Sequence, residues 1–152
     1  FISHPHFDHV GGFSAFLNKN NNVKIYMPGS MRSIVNSKEV IFVDEPAKLH
    51  ENVFSTGELD NFEQSMAIGT DKGLVIITGC SHPAMEKIFR AVLPFGSIYG
   101  LIGGLHGFEE YDLLKDLGLI CPCHCTLHIE EIKYLYPEKY VEGGAGRIIE
   151  VK

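Results

Sequence analysis

Ser3-His4-Pro5-His6-Phe7-Asp8-His9-Val10-Gly11-Gly12 puts three histidines and an aspartate within six residues, so the fold must bring this segment to wherever further donors lie. His4 and His6 alternate, and in extended or looped chain both can face the same way. Neutral imidazole and carboxylate suit a divalent cation, zinc first, with iron, manganese or magnesium as alternatives. Four donors exceed what one tetrahedral ion usually takes from one short segment, which predicts two adjacent ions. A surface histidine cluster or a tag remnant is the plain alternative, but the intervening residues are not tag-like. The glycine pair lets a helix start close by, with Val10, Phe13 and Leu17 as its apolar stripe.

Three later strand-like runs each lead into a histidine: His82, His106 and His124. Strand ends at one sheet edge are where sites of α/β proteins gather. One such histidine would more often be structural; three, added to the first cluster, point to a common site. His82 follows the small residues Gly79 and Ser81, which allow close approach of the backbone. Cys80 reads as a small buried hydrophobe. His106 lies between Gly103-Gly104 and Gly107, a loop able to meet an anion, and reads either as a contact to a phosphate or carboxylate of the substrate or as a solvent-exposed loop histidine. His124 sits in Cys121-Pro122-Cys123-His124-Cys125. If that stretch is extended, its cysteines face away from His124, which favours His124 as ligand and the cysteines as packing. A zinc–thiolate site would usually need two separated hooks. His50 and His128 have no supporting context.

The remaining pattern predicts one domain, residues 1–152, of alternating strands and helices. Strands are expected over 23–27, 40–43 (buried), 97–102, 119–123 and 147–151, with a pair of short ones within 46–56. A helical turn is expected over 31–35. Residues 64–70 and 74–78 form a hairpin around Asp71-Lys72-Gly73, and its apolar second strand should be central. Met85, Ile88, Phe89 and Val92 mark a helix. Further helices are expected over 109–117, capped by Gly118, and over 129–135.

The chain has 152 residues, 45% of them hydrophobic, enough for a real core. Its formal net charge of −6, without a basic block, disfavours nucleic acid as a partner. No apolar run is long enough for a membrane helix, so no membrane partner is expected. Four cysteines, three of them at alternating positions too close to pair among themselves, fit a reducing compartment and predict a cytoplasmic protein.

Ser-His-x-His-x-Asp-His-x-Gly-Gly resembles the signature of the metallo-β-lactamase superfamily. Gly73 to Pro83, Gly103-Gly104-Leu105-His106, Pro122 to Thr126 and Gly144 to Arg147 resemble one branch of it. That branch includes the archaeal 7,8-dihydropterin-6-methyl-4-(β-D-ribofuranosyl)aminobenzene-5′-phosphate synthase of methanopterin biosynthesis. The resemblance spans essentially the whole chain, and Leu127 departs from the glycine common there. It implies an α/β (α+β) fold, the αββα metallo-β-lactamase sandwich, lacking its N-terminal strands. It implies His4, His6, Asp8, His9, His82 and His124 as ligands of two divalent metal ions; Asp8, and His106 on the strength of its loop, are the candidates for catalysis. His82 stands where other branches place a histidine or a bridging aspartate, so the bridging carboxylate is left open.

The expected function is therefore a metal-dependent hydrolase, or the related synthase, acting on a small, phosphate-bearing molecule. The alternatives are a metal- or redox-sensing module and an inactive fragment. Phe1-Ile2 reads as a strand end, which predicts roughly 60–100 preceding residues. Apolar surface around Phe1-Ile2 and 74–77 is then expected to be open, with self-association or a homo-oligomer as the consequence.

Overall fold

In a computed structural model that describes residues 1–20, 22–33 and 40–151, two sheets and four short helices carry the chain. The first cluster opens α1 (Phe7–Val10), so Asp8 and His9 lie inside a helical turn rather than before one. α2 (Phe13–Lys19) follows. Val10, Phe13 and Leu17 pack on β1 (Ile25–Met27), as their spacing predicts. A 3₁₀ turn over Gly29–Ser33 occupies the start of the expected helical turn; residues 34 and 35 lie outside the described residues. β2 (Val40–Phe42) pairs in parallel with β1. It is not the buried strand expected: among the described residues it pairs with β1 alone, and Ile41 is 42% exposed.

The larger sheet has six strands in sequence order: β3 (Ala47–His50), β4 (Val53–Ser55), β5 (Met66–Thr70), β6 (Gly73–Thr78), β7 (Ile98–Gly104) and β8 (Leu119–Cys123). The first four form antiparallel hairpins, and β6, β7 and β8 are parallel. β6 is internal, as its apolar run predicts, and Leu74, Val75 and Ile76 are buried. α3 (Met85–Val92) covers the Leu74 and Ile76 face, so that side of the expected open surface is closed. On the other side half-buried Ile77 lines an open cleft of about 350 Å³ with Met66 and the exposed Phe1. Ile88, Val92, Leu101, Ile120 and Ile132 complete that core, the last from α4 (Ile129–Leu135).

Two expected elements fail. Residues 109–117 form only a 3₁₀ turn, Tyr111–Leu114, in a segment rich in carboxylates. Gly118 caps nothing there: its N–H donates to Tyr99, and a Cβ would lie 2.3 Å from the Tyr99 ring. Residues 147–151 are not a strand, and Ile148 is 88% exposed. The outer edge of β8 is met instead by residues 139–141, through Ile120 N–H to Lys139 and Val141 N–H to Ile120.

The three parallel strands all end at the same edge. Just beyond them Ser81, His106 and His124 adopt left-handed φ values of 59°, 46° and 53°. Such non-glycine positions cost of order 1–3 kcal/mol each and persist where surrounding contacts enforce them. Here they turn the chain sharply, so that side chains at the strand ends face the N-terminal segment.

Candidate metal centre

The N-terminal segment is tied to the sheet edge by its backbone. Gln64 N–H donates to the Ser3 carbonyl at 2.9 Å, and the Gln64 side-chain amide donates to the Ile2 carbonyl at 2.8 Å. Ile2 N–H reaches Tyr26 at 2.9 Å, fixing the same segment to β1. His4 is thereby wholly buried, while His6 and Asp8 stay toward solvent.

The structure brings the sequence-predicted residues together in two adjoining groups. In the first, His4 Nε2 lies 3.1 Å from His6 Nδ1. The His82 ring is centred 4.7 Å from that of His4 and 4.8 Å from that of His6. In the second, His9 Nε2 and His124 Nε2 are 3.1 Å apart, with Asp8 Oδ2 3.2 Å from His124. His106 stands outside both, its ring 5.2 Å from that of His82, on a cleft of about 450 Å³ that also touches Glu109 and Glu110. His128 pairs with Glu109 and Glu131 at the start of α4, and His50 lies on β3.

Two residues of the site were not singled out by the sequence. Cys80 Sγ lies 3.3 Å from His9 Nε2. Donor atoms of His4, Cys80 and His82 all lie within 4.8 Å of one another, and so do those of His9, Cys80 and His124. Cys80 therefore belongs to both groups. Its position two residues before His82 was the available signal, since it shares a strand end with a candidate ligand. The second residue is Glu63, buried beneath His82, whose imidazole donates Nδ1–H to Glu63 Oε2 at 2.7 Å. Nothing in the local pattern around Glu63 marks it.

The cysteines of β8 depart from the expected alternation. Cys121 and Cys123 face Gly143, whose Cβ would lie 2.9 and 3.1 Å from Cys121 Sγ and Cys123 Cβ. The left-handed turn at His124 breaks the extended run, and Cys125 comes to lie against Gly104 and the Cys80 carbonyl. All four cysteines are free thiols.

The electrostatics keep these donors in distinct states. Burial, reinforced by His9, His82 and His6 and opposed by Glu63, pushes His4 down to about 4. Burial also lowers His9, against the pull of Asp8. Both rings are neutral at neutral pH and keep a lone pair. Burial and the Cys125 thiol push Cys80 up to about 12, so it must release a proton when it binds a cation. Burial opposes charge on Glu63, but the Cys80 and His82 N–H groups and the His82 ring together hold its carboxyl below the ordinary value. Partial desolvation is likewise outweighed at Asp8 by its own backbone N–H and by His9 and His124, which keep the carboxyl low. Imidazoles with one thiol, held this close, match the nitrogen–sulfur donor set that zinc prefers.

A family model described as the metallo-β-lactamase superfamily matches residues 1–60. Among curated proteins, the chain is similar to the 7,8-dihydropterin-6-methyl-4-(β-D-ribofuranosyl)-aminobenzene-5′-phosphate synthase of Methanocaldococcus jannaschii. The two are 25% identical over 215 residues, covering 97% of this chain and 73% of the relative. Among solved structures, it resembles a metal-dependent hydrolase of the β-lactamase superfamily, with a TM-score of 0.60 and 22% identity. That match covers 74% of this chain, which spans only 59% of the solved protein's length. At that identity the likeness supports the mixed α/β fold of sheet and helices.

Proposed function

We propose that this chain, whose residues 1–60 match the metallo-β-lactamase superfamily model, is a two-metal enzyme hydrolysing an ester-like bond in a small, phosphate-bearing molecule. The observation that carries this reading is Cys80, common to two donor groups. His4 and His82, with His6 beside them, would hold one ion; His9 and His124, with Asp8, would hold the other; Cys80 would join both. The ions would supply Lewis-acid activation and charge neutralisation at neutral pH.

The chain's own residues supply the rest. Asp8 is ionised at neutral pH and exposed, and its carboxylate orients an attacking water by accepting a hydrogen bond. His106 lines the neighbouring cleft and offers its ring to the substrate. Phe62 packs against His4, His6 and His82 at 5.5, 5.2 and 5.0 Å between ring centres, keeping water from that side of the donors.

The similarity over 97% of the chain favours a second reading, the synthase reaction for which the archaeal relative is named. Its product carries a 5′-phosphate, consistent with a phosphate-bearing substrate. One experiment separates the two. Protein purified without chelator is assayed for metal content, then for cleavage of phosphodiester, thioester and lactone substrates, and for formation of the relative's product. Two ions per chain and chelator-sensitive cleavage are expected. Product formation without cleavage favours the second reading, and a metal-free, inert protein overturns both.

A further inference from the structure

Glu63 is a buried carboxylate with four N–H donors converging on it from one short stretch. Cys80 N–H donates to Oε1 at 2.9 Å and Ser81 N–H to the same oxygen at 3.2 Å. His82 N–H reaches Oε2 at 2.9 Å, and the His82 ring reaches it through Nδ1 at 2.7 Å. Three successive backbone N–H groups form a concave anion cradle here. The cradle exists because Ser81 takes a left-handed φ of 59°, which the carboxylate stabilises from below. On its own side, Glu63 is brought inward by a tight turn in which Asp60 and Asn61 both have φ of 54°. Glu63 N–H returns to Leu59 at 3.2 Å and Leu59 N–H to Glu63 at 2.8 Å, closing that turn. Its neighbours are close on two further sides: a Cβ on Gly79 would come within 2.9 Å of Oε1, and His4 Nδ1 lies 3.8 Å from the same oxygen.

We propose that Glu63 is the positioning residue of the candidate metal centre. By taking the Nδ1–H of His82 it fixes that tautomer and leaves Nε2 as the ring nitrogen with a free lone pair. By taking the N–H groups of 80–82 it fixes Cys80 and His82 on one rigid turn. This role rests on the reading of the histidine–cysteine cluster as a metal site. A carboxylate behind a metal-ligating histidine holds its orientation and raises its basicity, and loss of such a partner typically costs about 10–100-fold in metal affinity. Glu63→Gln keeps the shape but replaces one acceptor oxygen with a donor that opposes the converging N–H groups.

The test uses the full protein and two readouts. Nitrogen-15 NMR of the metal-free wild type reports the His82 tautomer, with His82→Asn assigning the signal. Competition against a chromogenic chelator reports zinc affinity. The expected result is the Nδ1–H tautomer in the wild type, lost or mixed in Glu63→Gln, with zinc bound about 10–100-fold more weakly. A wild type that binds zinc with His82 as the Nε2–H tautomer overturns the role of Glu63 and spares the metal site. The expected tautomer in a wild type that takes up no divalent ion overturns the metal reading, and the positioning role with it. Should Glu63→Gln not fold, the wild-type tautomer still decides the matter. A folded Glu63→Gln with unchanged tautomer and affinity overturns the proposal.

Discussion

Cys80 is the side chain on which the two donor groups meet, so its replacement separates them. Cys80→Ser keeps the volume and removes the soft donor. It is expected to bind at least one ion fewer per chain, by elemental analysis, while the metal-free protein keeps its unfolding midpoint. Asp8→Asn is expected to fold normally and lose most of its turnover, because its position is exposed and its charge is the feature used; near-wild-type turnover would count against its role. His4 predicts a pH dependence of the metal-free protein. Its folded pKa of about 4 lies below the ordinary value of 6.5, so the unfolded chain takes up the proton first as pH falls. Stability is then full above pH 6.5 and declines from there towards pH 4. Urea midpoints at pH 7.5 and 5 check this, with the lower midpoint expected at pH 5. The histidines and Asp8 were legible in the sequence because the first motif is local and the others follow apolar strands. Cys80 was not, because a lone cysteine beside a histidine has the same pattern whether it packs or binds. Glu63 was invisible for a different reason: its partners are backbone N–H groups 17–19 residues away.

At the scale of elements, the site depends on how closely the ends of β6 and β7 approach. A Cβ on Gly104 would lie 2.4 Å from the Gly79 carbonyl oxygen and 2.8 Å from Cys125 Sγ. Hydroxyls pin the same edge: Thr78 and Ser81 donate to the Gly104 carbonyl at 3.0 and 2.8 Å. Thr126 accepts from Leu105 N–H and donates to Cys123. Gly104→Ala must therefore push backbone from backbone, and a loss of about 1–3 kcal/mol in urea unfolding is expected, as for other overpacked sites. Gly107→Ala is the control, since its Cβ would meet nothing nearer than 4.0 Å, and a change within about 0.5 kcal/mol is expected. Elements with a clean apolar period were readable: β8 and α4 fall where the pattern puts them. The stretch 109–117 misled because its leucines have helical spacing, while Glu109, Glu110, Asp112 and Asp116 crowd like charge along it. Residues 147–151 misled because an apolar run needs a partner strand, and the edge of β8 is already met by 139–141.

For the whole molecule, the candidate centre lies where three separate parts of the chain join: the N-terminal segment, the turn after β6 and the turn after β8. The first is anchored to β1 of the small sheet through Ile2 N–H and to the large sheet's edge through Gln64, and the other two belong to the large sheet. Among the described residues, hydrogen bonds also link the two sheets directly: the Tyr26 hydroxyl donates to the Leu49 carbonyl, Glu58 N–H donates to Val43, and Ser30 N–H donates to the Glu58 carboxylate. Ions held by donors from all three parts would bind the folded chain and not the unfolded one, because the donors are scattered from residue 4 to residue 124. At a free ion concentration 100 times Kd such binding adds about 2.7 kcal/mol. For a chain of this size that raises Tm by roughly 5–10 °C. Removing metal with a chelator is therefore expected to lower Tm by that amount, and re-adding zinc to restore it. Cys80→Ser should show a smaller shift between the two states, since it holds fewer ions. Calorimetry with and without chelator checks this, and equal Tm values in both states would show that no ion joins the two sheets.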